Sequence, residues 1–236
     1  KPDFGSDYKI GYIYALMEDY KEAFKWTDRF IKIVSSPGLK AEGYLWKSLY
    51  CAWLGKTDSA YTFLRKSDEI SDSFNKALTD FTKGQIYYDL REYERSKNFL
   101  QRAYDYYIQM LPELKWVVAR YHYSIGRVEI AQRQYNLVKT RPDTIKSCLI
   151  GISDEEKKVV TCAYEMLTAS ILLAEGAHKQ VISKLENVTT PNLTFMSTSE
   201  LLPYTTFYMK DYLACAYQQA GKLDKAITEY ERIVTF

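Results

Sequence analysis

Two histidines and four cysteines are the residues of this chain with the widest chemical repertoire. A general base needs an imidazole or carboxylate set beside the proton it takes, and a structural metal needs three or four N or S ligands at short, regular spacing. Cys51, Cys148, Cys162 and Cys215 form no C-x-x-C pair. Their spacing matches neither a zinc site nor a disulfide framework, so four free thiols in a reducing, cytoplasmic setting are expected, with no metal and no cofactor. His122 lies within an apolar-periodic stretch and reads as a packing residue, and His178 reads as the solvated start of a helix. The run Asp154-Glu155-Glu156 follows Ser153. Ser-x-x-Glu spells a capping box, and carboxylates are favoured at a helix N-terminus, so this acidic run reads as structure rather than catalysis. No G-x-S-x-G elbow, phosphate-cradling glycine loop or H-E-x-x-H pair occurs. No enzymatic activity is expected. The sequons Asn187-Val188-Thr189 and Asn192-Leu193-Thr194 read as polar residues of a connecting segment.

The elements that would position any site are helices. Only 10 Gly and 6 Pro punctuate 236 residues, which leaves long uninterrupted segments. Hydrophobic residues make up 47% and charged residues 26%, so the bulk of the chain folds. The formal net charge is +2, with no footprint for nucleic acid or an anionic membrane. No run of 18 apolar residues spans a membrane. The 22 tyrosines suit half-buried interfaces, because the ring is apolar and its tip is polar.

One pattern recurs along the chain. A small residue is followed three later by an aromatic or apolar residue, then by a break, then by a small residue opening a second apolar-periodic stretch. Clear copies are Ala214, Tyr217, Gly221 and Ala226; Gly84, Tyr87, Tyr93, Ser96 and Leu100; and Gly11, Tyr14, Tyr20, Ala23 and Phe30. Small residues fall at Gly11, Ser48, Gly84, Ala119, Ala169 and Ala214, spaced by 37, 36, 35, 50 and 45 residues. Their second-stretch partners are Ala23, Ala60, Ser96, Ala131, Val181 and Ala226. Two helices approach closely only where one presents a small side chain, so each copy reads as a helical hairpin. Gly55, Gly126, Gly176 and Gly221 are read as first-helix stops, and Pro37, Pro112, Pro142 and Pro191 as breaks between copies. The wider spacings place insertions at Lys139–Ser153 and Thr189–Thr206.

The pattern resembles the tetratricopeptide repeat over nearly the whole chain. The resemblance implies an all-α fold, a right-handed α-solenoid of about six hairpins, at roughly 4–37, 39–70, 74–111, 113–142, 154–190 and 203–236. It also implies a non-catalytic scaffold for a protein or peptide partner, held in a concave groove lined by first helices. Carried onto this sequence, the groove positions include Tyr8, Tyr12, Leu16, Leu49, Trp53, Phe81, Gln85, Tyr88, Trp116, Arg120 and Tyr123. Arg120 would pair a carboxylate of the partner. The same aromatics would equally fill a narrow superhelix. The carboxylate clamp for acidic chaperone tails is not expected, because Tyr8 and Tyr12 stand where it needs Lys and Asn. The chain opens at Lys1 and closes at Arg232-Ile233-Val234-Thr235-Phe236 without a polar capping helix, which suggests a segment of a longer array. A ligand-sensing regulatory domain and self-association through the uncapped ends are the rival expectations.

Overall fold

Helices and turns account for the described residues, 6–70, 76–110, 113–186 and 212–234 of a computed structural model, and no strand occurs among them. In the first unit, Lys1–Tyr107, lie α1 (Ser6–Leu16), α2 (Tyr20–Ile33), α3 (Pro37–Trp53), α4 (Thr57–Ile70), α5 (Lys76–Asp89) and most of α6 (Tyr93–Met110). The second unit, Ile108–Phe236, holds α7 (Lys115–Ala131), α8 (Tyr135–Val138), α9 (Arg141–Ser147), α10 (Asp154–Ala174), α11 (His178–Leu185), α12 (212–219) and α13 (Leu223–Val234). The second insertion and the sequons fall outside the described residues.

One backbone device closes the first helix of every hairpin. Glu18 N–H donates to Ala15 O at 3.1 Å while Asp19 N–H reaches back to Tyr14 O at 2.9 Å. This paired 5→2 and 6→1 bonding is the Schellman motif, which satisfies carbonyls that the helix end would orphan. The same two bonds recur around Gly55, Arg91, Arg133, Gly176 and Gly221. Each turn requires positive φ, and glycine supplies it at 55, 176 and 221; Glu18, Arg91 and Arg133 adopt it at φ 60°, 62° and 59°. The left-handed conformation costs a non-glycine residue about 1–2 kcal/mol, so close packing on both sides must hold these three turns.

That packing comes from small residues. In the first unit, Ser48 Oγ donates to Ala60 O at 2.8 Å and Ser96 Oγ donates to Gly84 O at 2.7 Å, both bonds buried. A Cβ on Gly11 would lie 3.1 Å from Ala23 O. The pairing of small residues between first and second helices is therefore a direct backbone approach. Hairpins then stack, with α3 against α1, α2 and α4, and α5 against α3. Lys47 crosses one such seam: its Nζ pairs with Asp28 at 2.6 Å and lies 4.4 Å from the Phe63 ring centroid. Buried Lys83 repeats the device one hairpin later, pairing with Asp68 and lying 5.6 Å from the Phe99 centroid.

The second unit departs from the sequence-based register in one hairpin. Gly126 does not end the fourth first helix, and Ala131 does not open its second. Instead α7 runs through both to Ala131 and turns at Arg133. A Cβ at Gly126 would sit 2.5 Å from Leu167 Cδ1 and 3.3 Å from Val138 Cγ2. The glycine is there to admit α10, not to stop α7, and that contact outweighs the roughly 1 kcal/mol glycine costs inside a helix. The six turns are thus 37, 36, 42, 43 and 45 residues apart. Nor is Lys139–Ser153 one open connection: it contains α9, which packs on α7 and α10. Pro142, in the first turn of α9, separates it from α8. Ser153 and Glu156 do form the expected capping box on α10.

Candidate functional site

Along α3, Glu42, Trp46, Leu49 and Trp53 are spaced by 4, 3 and 4 residues, so they form one stripe. Tyr12 of α1 meets this stripe. Its ring centroid lies 5.2 Å from that of Trp46 and 6.4 Å from that of Trp53. Tyr50 closes the circuit at 6.3 Å from Trp46 and 6.1 Å from Trp53, and Phe24 of α2 meets Tyr50 edge-on at 5.7 Å. Tyr50, Leu49 and Trp46 are buried and form the floor; Tyr12 and Trp53 are half-buried and form the rim. Burial pushes the Tyr50 phenol up. Glu42 sits at the N-terminal end of the stripe, one turn from Trp46, and burial raises its carboxyl above the usual range.

The other residues expected to line the first-helix face are placed unequally. Phe81, Gln85, Arg120 and Tyr123 are buried, whereas Tyr88 and Trp116 are half-buried. Tyr8 and Leu16 belong to α1, with side chains outside the described set. The register of α7 changes which residues count. Counted from Gly126 rather than Ala119, the position one residue on is Arg127, and Trp116 falls off the pattern. Arg120, Tyr123, Arg127 and Ile130 share a stripe by helical spacing, and the Arg127 guanidinium lies 5.9 Å from the Tyr123 centroid. Reading the sequence for the rim found Tyr12 and Trp53 but missed Glu42, Trp46 and Tyr50. The 42-46-49-53 spacing was the signal that would have found the first two.

The tetratricopeptide repeat model matches residues 81–107 and 213–236. The first match spans α5, the Arg91 turn and α6 up to Tyr107, and includes the Ser96–Gly84 bond; the second spans the Gly221 turn and α13. The chain carries tetratricopeptide repeats. No curated protein matches the sequence. Repeats of this family are in general protein–protein interaction modules.

Within these repeats, equivalent positions carry different chemistry. Three residues beyond Gly84 stands Tyr87, and fifteen beyond stands Phe99; their rings stack at 5.2 Å. At the same offsets from Gly126 stand Glu129 and Arg141. They form a two-pronged ion pair, Nε to Oε2 and Nη2 to Oε1, each at 2.5 Å. An aromatic pair joining first and second helix is replaced by a buried salt bridge. The third guanidinium nitrogen meets His122 Nδ1 at 3.0 Å. His122, read from the sequence as a packing residue, thus meets an arginine. Burial, and then the Arg141 charge, lower its pKa to about 4, against the opposing pull of Glu129. A histidine held neutral in the fold stabilises above its ordinary value of 6.5. That contribution falls away as pH drops from 6.5 towards 4, because the unfolded state takes up the proton first. Urea midpoints should therefore decline more over this window in the wild type than in His122→Gln; equal slopes would contradict the assignment.

Among the described residues, no helix is long and apolar enough to cross a membrane, and no three His, Cys, Asp or Glu side chains cluster as metal ligands.

Proposed function

We propose that this chain is a non-catalytic scaffold that binds a protein partner through the first-helix face of its repeats, with Tyr12 and Trp53 as principal contacts in the first unit. The observation carrying this reading is the ring circuit on α1 and α3, whose buried floor fixes two half-exposed aromatics in place. Aromatic side chains anchored in this way are typical energetic centres of protein interfaces, because they bury much area at little conformational cost. The partner presents an apolar or aromatic segment, a peptide or one face of a helix. Tyr88, half-buried, extends this face. In the first unit Leu49, Phe81 and Gln85 are buried beneath it; in the second unit Arg120 and Tyr123 are buried, and Arg127 takes the repeat position expected of Arg120.

A pull-down from source lysate tests the proposal, with the full chain as bait beside a Tyr12→Ala/Trp53→Ala variant shown by circular dichroism to fold. The expected result is a polypeptide retained by the wild type and lost with the variant. Equal retention by both would refute the use of this face.

A further inference from the structure

Within each unit, hairpins join their successors at one recurring position. The residue just after the small residue of a second helix reaches the next first helix. Phe24, one beyond Ala23, meets Tyr50 of α3 edge-on at 5.7 Å. Tyr61, one beyond Ala60, lies 6.1 Å from Tyr87 of α5. In the second unit, Val138 takes the small-residue place opposite Gly126, and Lys139 beside it pairs with Glu175 at the end of α10 at 2.8 Å. Ile182, one beyond Val181, is buried in one core with Leu213 and Tyr217 of α12. The chemistry passes from ring to charge to aliphatic while the position stays the same. On α13 that position, one beyond Ala226, is Ile227, and it is 54% exposed. Leu223, one turn earlier on the same stripe, is 60% exposed.

The receiving residues share one face of the first helices. Tyr50 stands two beyond Ser48, Tyr87 three beyond Gly84, and Glu175 six beyond Ala169. Two and six residues beyond Gly11, α1 and its turn carry Ile13 and Met17, which are 55% and 60% exposed. Tyr14, three beyond Gly11, is half-buried beside them. One exposed aliphatic pair therefore holds the giving side of the repeat joint, and another holds the receiving side. We propose that α13 of one copy receives α1 of a second copy, with Leu223 and Ile227 packing on Ile13 and Met17. Copies then join head to tail through the joint that stacks hairpins within the chain. Continuity names the occupant: the other side of this joint is a first helix throughout, and α1 offers one with matching apolar chemistry. The contact uses different surfaces on the two copies, so it extends into open chains or closes into rings. It does not depend on the binding face proposed above.

The test is sedimentation velocity of the full chain from micromolar to millimolar concentration, beside two variants that each block one side of the joint, Ile13→Glu/Met17→Glu and Leu223→Glu/Ile227→Glu. The replaced side chains are all exposed, so both variants should melt with the wild type. The wild-type mass should rise with concentration to at least about twofold that of one chain. Each variant alone should remain a monomer. An equimolar mixture of the two should give a dimer and nothing larger, because a single competent joint is left between them. A wild type that stays monomeric throughout would overturn the proposal. So would association of the α1 variant alone, which would mean that α13 faces pair with each other, or of the α13 variant alone. A second measurement needs neither variant: a benzophenone amino acid at position 227 should cross-link the purified protein into a dimer, with the adduct in peptide 10–21. A dimer adduct elsewhere, or none, would equally overturn it.

Discussion

Gly84→Leu melts the first unit at a temperature lower by roughly 10 °C or more, an expectation set by the space around this residue. A Cβ at position 84 would lie 2.6 Å from Leu100 Cγ and 2.7 Å from Leu100 Cδ2, with Leu100 N at 3.3 Å. Leu100 is 1% exposed and has nowhere to move. The Ser96–Gly84 hydrogen bond holds the same two backbones together, so separating the helices would break it. Even Gly84→Ala should cost about 1–3 kcal/mol, and leucine more. Asn98→Leu, at an exposed position on α6, is the control and should shift stability by no more than about 0.5 kcal/mol. Thermal unfolding by circular dichroism reads both. A Gly84→Leu protein that melts with the control would mean that α5 and α6 do not approach as described.

The second large effect concerns the fourth hairpin. Glu129→Gln should destabilise by about 3–5 kcal/mol, because it leaves the largely buried Arg141 charge uncompensated beside His122. The double variant Glu129→Tyr/Arg141→Phe transplants the pair found at Tyr87 and Phe99. It should recover most of the loss, since a buried ion pair and a well-packed apolar pair of similar size are often near parity. Urea denaturation of Glu129→Tyr, Arg141→Phe and the double variant forms a cycle, with the coupling energy as its readout. A double variant as unstable as the sum of the singles would show that the two positions do not share the interface they share in the third hairpin.

The sequence showed the hairpins wherever small residue, aromatic and glycine coincide, as at Ala214, Tyr217 and Gly221. Where glycine serves another purpose it misled. Gly126 looks like a helix stop because half of the turns use glycine at positive φ, yet Leu167 needs its empty side. The true turn at Arg133 carries no local mark, because tertiary packing holds a residue type there that would not choose positive φ alone. Glu129 and Arg141 hid the register of the fourth hairpin, expected from Ala119 and Ala131: the joint between helices was kept while its chemistry changed from ring stacking to charge. Tyr12 and Trp53 were legible because their spacing from a small residue follows the repeat.

Photocrosslinking is the most direct test of the claim that first helices carry the binding face. A benzophenone amino acid replaces Tyr12 on α1 in one protein and Lys25, a well-exposed residue of α2, in another. Both are irradiated in source lysate. The account predicts a discrete polypeptide adduct from position 12, abolished by Trp53→Ala, and none from position 25. An adduct from position 25 alone, or from position 12 unaffected by Trp53→Ala, would contradict it.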